Sequence, residues 1–538
     1  MFRTHLSVLE SSAARFPSSP VFRTPLLDAQ TNRLGGWTTI SYRQFQEDVL
    51  RFATFWAREL RRNKIPQRSV IGLWYVYNTI GGYTYVDVLH VYGLSRAGYI
   101  PQLFSLRLPN PEVVFELLVK ADAKALIFDQ TFAEIVQNCH VPIYPAAKVA
   151  EVDARSGPVP DLPVVAESDI AFVFHTSGST SGSPKLVPCN YRWLDSTVAK
   201  SSQICTPRDA ARQDVTTWMG SMCHIGQEFM LIGSIQHGSC VIQPTTISFS
   251  SEELMDMIHS CGLNRLNQFA AFLAMQLQAS RIHPKLLAML ASLDEVLYSG
   301  MPLSQPEQEW ALQNNIRLRN LFGSTECGAT LMSVGGTGKD RTLLRPLDGV
   351  SYRFVPVDSE ESEAGHQSTA RLLEFVVSSE SGDCPDRSLC GPDGNFRTGD
   401  LFQEVTPGCY VSRGRNDDWI KSENSLRCDT KAIEDNVRAM CGDLISECIV
   451  VGTGRPSPVL FIEPAKDMDN EKLKKDIIRK TRHFHSRRYL HERITSAQMI
   501  VVVARNTLPR TSTKGNIRRT AVEAAYRSQL DEIYSISR

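Results

Sequence analysis

Ten residues, Thr176-Ser177-Gly178-Ser179-Thr180-Ser181-Gly182-Ser183-Pro184-Lys185, follow directly on the apolar run Ile170-Ala171-Phe172-Val173-Phe174. Hydroxyls and glycines at this density let backbone N–H and side-chain O–H groups close around phosphate oxygens, and the terminal lysine adds positive charge. A flexible Ser/Gly linker is the competing reading. A linker, however, has no reason to begin where a buried strand ends and to finish in Pro-Lys. The pattern G-x-x-x-x-G-K-[ST] does not occur: Gly335-Gly336-Thr337-Gly338-Lys339-Asp340 lacks both the first glycine and the final hydroxyl.

Four further segments carry chemistry-bearing groups at close spacing. Phe322-Gly323-Ser324-Thr325-Glu326 joins an aromatic ring, hydroxyls and a carboxylate, or is an ordinary turn after a strand Ile316–Leu321. It is preceded by Tyr298-Ser299-Gly300-Met301-Pro302-Leu303. Phe396-Arg397-Thr398-Gly399-Asp400-Leu401 and Gly414-Arg415-Asn416-Asp417-Asp418-Trp419-Ile420-Lys421 read equally as turn chemistry. Near the end, Leu508-Pro509-Arg510-Thr511-Ser512-Thr513-Lys514-Gly515-Asn516 offers a lysine that is otherwise an exposed surface residue.

Taken in order, these segments resemble the signatures of the adenylate-forming superfamily, which includes acyl- and aryl-CoA synthetases, peptide-synthetase adenylation domains and firefly luciferase. The chain is most similar in flavour to fungal stand-alone AMP-binding acyl ligases. The resemblance covers almost the whole chain. It departs from the pattern in a phosphate loop one residue longer than usual, in Leu186 where glycine commonly follows, and in the order Lys514-Gly515 where many relatives have Gly-Lys.

The resemblance implies ATP and AMP as nucleotides, with Mg²⁺. Thr176, Ser177, Gly178, Ser179, Thr180, Ser181, Gly182 and Lys185 would hold phosphate. Ser299, Gly300, Met301, Asn320, Phe322, Gly323 and Ser324 would line the adenine side, with Phe322 stacked on the base. Thr325 would hold the α-phosphate and Glu326 would ligate the metal through hard oxygen. Asp400 would bind the ribose hydroxyls, Arg415 would contact ribose or phosphate, and Asp417 would be the hinge. Lys514 would supply the catalytic ammonium.

The resemblance also implies an acyl pocket formed by His224, Ile225, Asn267, Phe269, Ala270, Tyr298 and Gly300. His224, in Met222-Cys223-His224-Ile225-Gly226, is a candidate gate, with a buried structural histidine as the competing reading. Amino-acid-activating relatives place an Asp next in this region, and Ile225 cannot pair with an ammonium. An aryl, aliphatic or polyketide-type acid is therefore favoured over an α-amino acid. The expected reaction forms acyl-AMP with release of pyrophosphate, then passes the acyl group to a thiol. Coenzyme A is the first choice, since no carrier domain follows residue 538. A phosphopantetheine carrier protein or an amide-forming acceptor is the alternative. Lys421-Ser422-Glu423-Asn424 lacks the glycine at which CoA ligases let pantetheine approach. The basic run from Lys472 to Arg488 either meets acceptor phosphates or is a solvated helix face. A non-catalytic AMP-binding sensor is the remaining class.

The elements that must position these groups follow from pattern. Apolar runs such as Val70–Trp74, Ala125–Phe128 and Ile170–Phe174 alternate with helical periodicity, which predicts an α/β fold. We expect a large N-terminal domain of layered, largely parallel sheets over residues 1–414, with a small β-rich subdomain at about 345–412. A mobile α+β C-terminal domain over 415–538 would carry Lys514. Hydrophobic residues at 42%, charged residues at 22% and equal counts of 58 acidic and 58 basic residues suit a globular protein and give no global field for nucleic acid. Thirteen scattered cysteines and the lack of any long apolar run predict reduced thiols, no membrane span and a cytoplasmic location. A role in secondary metabolism and a monomer or homodimer are expected.

Overall fold

A computed structural model describes the chain except for residues 1, 29, 32, 75–83, 105–109, 153–156, 177–184, 358–371, 417–418, 422–426, 487–491, 511–516 and 537–538. It divides into two compact units. The first comprises Met1–Leu303, Glu307–Arg353 and Val376–Arg397, and the second Ser304–Pro306, Phe354–Phe375 and Thr398–Arg538.

The first unit is built on two sheets with helices between and around them. One has six strands, ordered Ile143–Pro145, Ala125–Phe128, Val70–Trp74, Ile100–Phe104, Ile170–Thr176 and Lys185–Asn190. All neighbours are parallel except the last pair, which is antiparallel. The unbroken apolar runs of these strands match burial on both faces. Gly72 is required within one of them, because a Cβ there would lie 2.6 Å from Leu118 of the covering helix Pro111–Lys120.

The second sheet contributes a parallel run ordered Leu318–Ser324, Glu295–Ser299, Arg265–Phe269, Val215–Thr217, Cys240–Ile242 and Pro20–Leu27. Antiparallel strands Gly328–Ser333 and Leu34–Ser41 flank it. Because the central strands are parallel, their carboxyl ends lie on one rim. On that rim ligands of open α/β sheets bind.

In the second unit, the part of the strand Phe396–Thr406 from Thr398 onward forms an antiparallel pair with Cys409–Arg415, packed by Phe354, Phe375, Phe402 and Tyr410. Beyond it lies an α+β layer with the strands Ile445–Val451, Val459–Pro464 and Ile500–Val502. Side chains alternate along these strands, as the pleat demands. Cys448, Val450, Leu460 and Ile462 meet helices Thr430–Cys441 and Asn470–Ser486, whereas Ile449, Val451 and Phe461 meet Arg519–Ala525 and Arg527–Ile536. No helix among the described residues is long and apolar enough to cross a membrane.

Candidate functional site

Three adjacent parallel strands end side by side on the rim of the second sheet. Phe269 is paired with Ser299, and Ser299 with Leu321. The strand Leu318–Ser324 runs on through Phe322 and Gly323 and returns as Gly328–Ser333, so that only Thr325, Glu326 and Cys327 form the turn. Gly323 permits this close return, because a Cβ on it would sit 2.4 Å from the Gly328 carbonyl oxygen. Ser324 Oγ accepts the Cys327 N–H at 3.3 Å and closes the turn. Thr325 and Glu326 are thus presented half-buried at the tip. Asn320 lies lower on the same strand, its backbone N–H donated to Ser333 Oγ at 2.8 Å.

Beside this hairpin, two of the expected pocket residues, His224 and Gly300, stand against Phe269. The His224 ring stands edge-on to it with centroids 5.0 Å apart. Two glycines make room for it: a Cβ on either Gly220 or Gly300 would lie 3.2 Å from the ring. Gly300 also has φ +90°, a left-handed conformation that disfavours any side chain. His224 caps the helix Ile225–Gln236, its Nδ1 accepting the Gly226 N–H at 3.0 Å. That bond leaves the proton of the neutral ring on Nε2. Ile225, Asn267, Ala270 and Tyr298 are buried, but Ala270 and Tyr298 pack in a different apolar cluster from Phe269, and Tyr298 pairs with Gln268, on the opposite face of the sheet. Burial raises the Tyr298 hydroxyl above its ordinary pKa. Ser299 is half-buried and Met301 is 57% exposed.

Thr176 and Lys185 are cross-strand partners that bracket the hydroxyl-rich loop. Ser177, Gly178, Ser179, Thr180, Ser181 and Gly182 lie outside the described residues. The strand leading into the loop is fixed by His175. Its Nδ1–H donates to the Leu103 carbonyl at 2.9 Å, and its Nε2 accepts from Gln102 Nε2 at 3.2 Å. The ring also stacks on Phe104, with centroids 4.7 Å apart. Burial lowers the His175 pKa to about 4, so the ring is neutral at physiological pH. The Phe104 carbonyl in turn accepts the Cys223 thiol at 2.8 Å, one residue before His224. The start of the loop and the pocket histidine therefore share Phe104 as a common support.

In the second unit, Asp400 and Arg415 face each other across the antiparallel pair, with Nη1 3.4 Å from Oδ1. Thr398 Oγ1 accepts the Asp400 N–H at 3.0 Å and donates to the Phe375 carbonyl at 2.9 Å, which fixes the carboxylate's base. Gly399 has φ +73°, and a Cβ there would sit 3.3 Å from Arg415 Nη2. Asp417 and Lys514 lie outside the described residues.

Sequence reasoning missed Phe104, His175, Gly220 and Cys223. Cys223 lies within the recognised segment around His224, where it was given no role, and Gly220 lies two residues before that segment. Phe104 offered no local signal, because its role arises from strands that meet only in the fold.

A layered α/β unit in which the Thr325–Glu326 hairpin tip, Ser299 and the Phe269–His224 ring pair meet at the carboxyl rim of one parallel sheet defines the class of open α/β ligand-binding proteins. Residues 9–367 match the family model for AMP-binding enzymes, and residues 417–538 match that for the AMP-binding enzyme C-terminal domain. The chain is 36% identical over 521 residues to the AMP-binding domain-containing enzyme iboA of Amanita muscaria (strain Koide BX008), a match covering 94% of this chain and 98% of that one. It is 23% identical to the adenylate-forming reductase Nps10 of Heterobasidion annosum, over 87% of this chain and 44% of that protein. Its fold is similar to that of o-succinylbenzoate CoA synthetase (MenE) from Bacillus subtilis in complex with the acyl-adenylate OSB-AMP. There the TM-score is 0.73 at 15% identity, with 97% of this chain and 98% of the other covered. The chain belongs to the AMP-binding, adenylate-forming enzyme family.

Proposed function

We propose that the chain activates a carboxylic acid with ATP. A carboxylate oxygen attacks the α-phosphorus, the bond from that phosphorus to the pyrophosphate oxygen breaks, and acyl-AMP and pyrophosphate result. A thiol sulfur then attacks the acyl carbon and gives up its proton, and AMP departs to leave a thioester. Such chemistry asks the protein for in-line positioning and charge neutralisation.

The observation that carries this reading is adjacency on one rim. The Thr325–Glu326 tip and the Phe269–His224 ring pair stand on the same rim, with the end of the strand Glu295–Ser299 between them. In this reading Thr325 holds the α-phosphate, Phe322 the adenine and the hydroxyl-rich loop the remaining phosphates. Asp400 and Arg415 bind the ribose side, Asp417 is the pivot, and Lys514 stabilises charge developing at the α-phosphorus. Among the described residues no group of three His, Cys, Asp or Glu side chains could hold a metal alone. Glu326 with phosphate oxygens suits Mg²⁺, which favours one or two carboxylates plus nucleotide. When bound, Mg²⁺ would neutralise phosphate charge.

Coenzyme A is the proposed acceptor. A phosphopantetheine carrier protein is the second reading, since Lys421-Ser422-Glu423-Asn424 lacks the glycine that CoA ligases of this family carry after the hinge lysine. The apolar setting of Ile225 favours an aryl, aliphatic or polyketide-type acid over an α-amino acid. The proposed setting is cytoplasmic, in keeping with thirteen free cysteines. The test is carboxylate-dependent ATP–pyrophosphate exchange over a panel of acids, followed by mass spectrometry with coenzyme A or a carrier protein. Failure of every acid to support exchange would reject catalysis in favour of a binding role.

A further inference from the structure

The helix Tyr191–Cys205 follows the strand that leaves the hydroxyl-rich loop. Two of its side chains reach the backbone of the Thr325–Glu326 turn. Trp193 donates its Nε1–H to the Glu326 carbonyl at 3.0 Å. Lys200, two turns further on, donates to the carbonyls of Cys327 and Ala329, each at 2.7 Å. The Lys200 ammonium also meets Asp383 Oδ2 at 2.7 Å, and the two side chains are only 1% and 0% exposed. Asp383 further accepts the Ser381 hydroxyl at 2.5 Å and the Tyr352 hydroxyl. All three ammonium protons thus have acceptors, and the carboxylate has three donors.

A buried ion pair is weak evidence for stability, since desolvation cancels much of the attraction and apolar side chains of similar volume often serve as well. A methionine or leucine, however, cannot bind the carbonyls of Cys327 and Ala329, which lie one and three residues after Glu326. The use of this lysine is therefore geometric. Its aspartate makes the buried charge tolerable, and its remaining donors fix the return strand.

We propose that Lys200 is a positioning residue, acting with Trp193 to set the main chain of the turn so that the Glu326 carboxylate meets a metal–nucleotide complex. The helix that carries both side chains begins at the end of the phosphate-loop hairpin, so it ties the two nucleotide-facing segments into one frame. The proposal rests on the reading of Glu326 as the metal ligand.

The test uses the full chain and three variants, Glu326→Gln, Trp193→Phe and Lys200→Met. Calorimetric affinity for α,β-methylene-ATP is measured with and without Mg²⁺, beside melting temperature. Glu326→Gln is expected to abolish the gain in affinity that Mg²⁺ confers. Trp193→Phe and Lys200→Met are expected to cut that gain roughly tenfold while leaving metal-free affinity within about twofold. Should Lys200→Met not fold, the double variant Lys200→Met/Asp383→Leu removes both charges together and takes its place. If Glu326→Gln keeps the full Mg²⁺ gain, the reading of Glu326 falls and the proposal with it. If Glu326→Gln loses the gain while Trp193→Phe and the lysine variant keep it, the positioning role alone is overturned.

Discussion

The imidazole of His224 stands edge-on to the ring of Phe269, with planes at 74° and centroids 5.0 Å apart. Gly220 and Gly300 flank the Phe269 ring, and a Cβ on either would lie 3.2 Å from it. A methyl at Gly300 would press on that ring and force a side chain into φ +90°. We expect Gly300→Ala to destabilise the protein by roughly 1–2 kcal/mol. It should also raise KM for the acid more than KM for ATP. A panel of acids of graded width in the exchange assay checks this. An equal rise for narrow and wide acids would dissociate Gly300 from the pocket.

Asp400 and Arg415 form a cross-strand pair in which the guanidinium is 44% exposed, so the pair adds little to stability. Its expected value lies in nucleotide binding. Asp400→Asn keeps the shape of the side chain but weakens two acceptors for ribose hydroxyls. We predict a rise in KM for ATP of roughly 10- to 100-fold, in line with the loss of hydrogen bonds to a charged group. The melting temperature should stay almost unchanged. An unchanged KM for ATP would remove Asp400 from the nucleotide site.

Lys514→Ala is expected to abolish adenylate formation while sparing acyl transfer from a preformed acyl-adenylate. A single ammonium aimed at charge that develops only in the first transition state contributes roughly 10²- to 10³-fold. Rapid-quench measurement of each half-reaction separates the two steps. Equal losses in both would show that the lysine does not act selectively on adenylation.

Local pattern carried much of the architecture. The apolar runs at Val70–Trp74 and Ala125–Phe128 are strands with those bounds, and the run from Ile170 extends to Thr176. Boundaries were less legible. A strand expected over Ile316–Leu321 covers Leu318–Ser324, and the Thr398-Gly399-Asp400 segment lies within the strand Phe396–Thr406. In both places a glycine that reads as a turn instead permits a close approach between paired strands. Gly323 nearly touches Gly328, and Gly399 sits beside Arg415. Lys200 and Asp383 were invisible for another reason. A lysine on a helix reads as solvated, and the partners that bury this one lie 127 to 183 residues further along the chain.

Glu228 is a second buried charge-bearing group with no local signal, and its prediction concerns pH. It follows the pocket histidine by four residues and is 2% exposed within the core beneath that helix. Burial lifts its carboxyl from 4.5 to about 8, against a smaller opposing effect of the Tyr92 hydroxyl. The nearby His5 ring, edge-on to Tyr92 at 4.7 Å, is held neutral by the same burial, with its pKa lowered to about 3. In the folded protein Glu228 therefore keeps its proton at neutral pH, whereas the unfolded chain releases it. Between about 4.5 and 8 the native state binds the extra proton, so the contribution of Glu228 is complete at the acid end and declines as pH rises through 8. Glu228→Gln, which stays neutral and fits the same space, should flatten that decline. We expect the melting-temperature difference between variant and parent to move in favour of the variant from pH 6 to pH 8.5. Parallel pH profiles for the two proteins would mean that Glu228 is already ionised in the fold, with a counter-charge or water supplying what its burial denies.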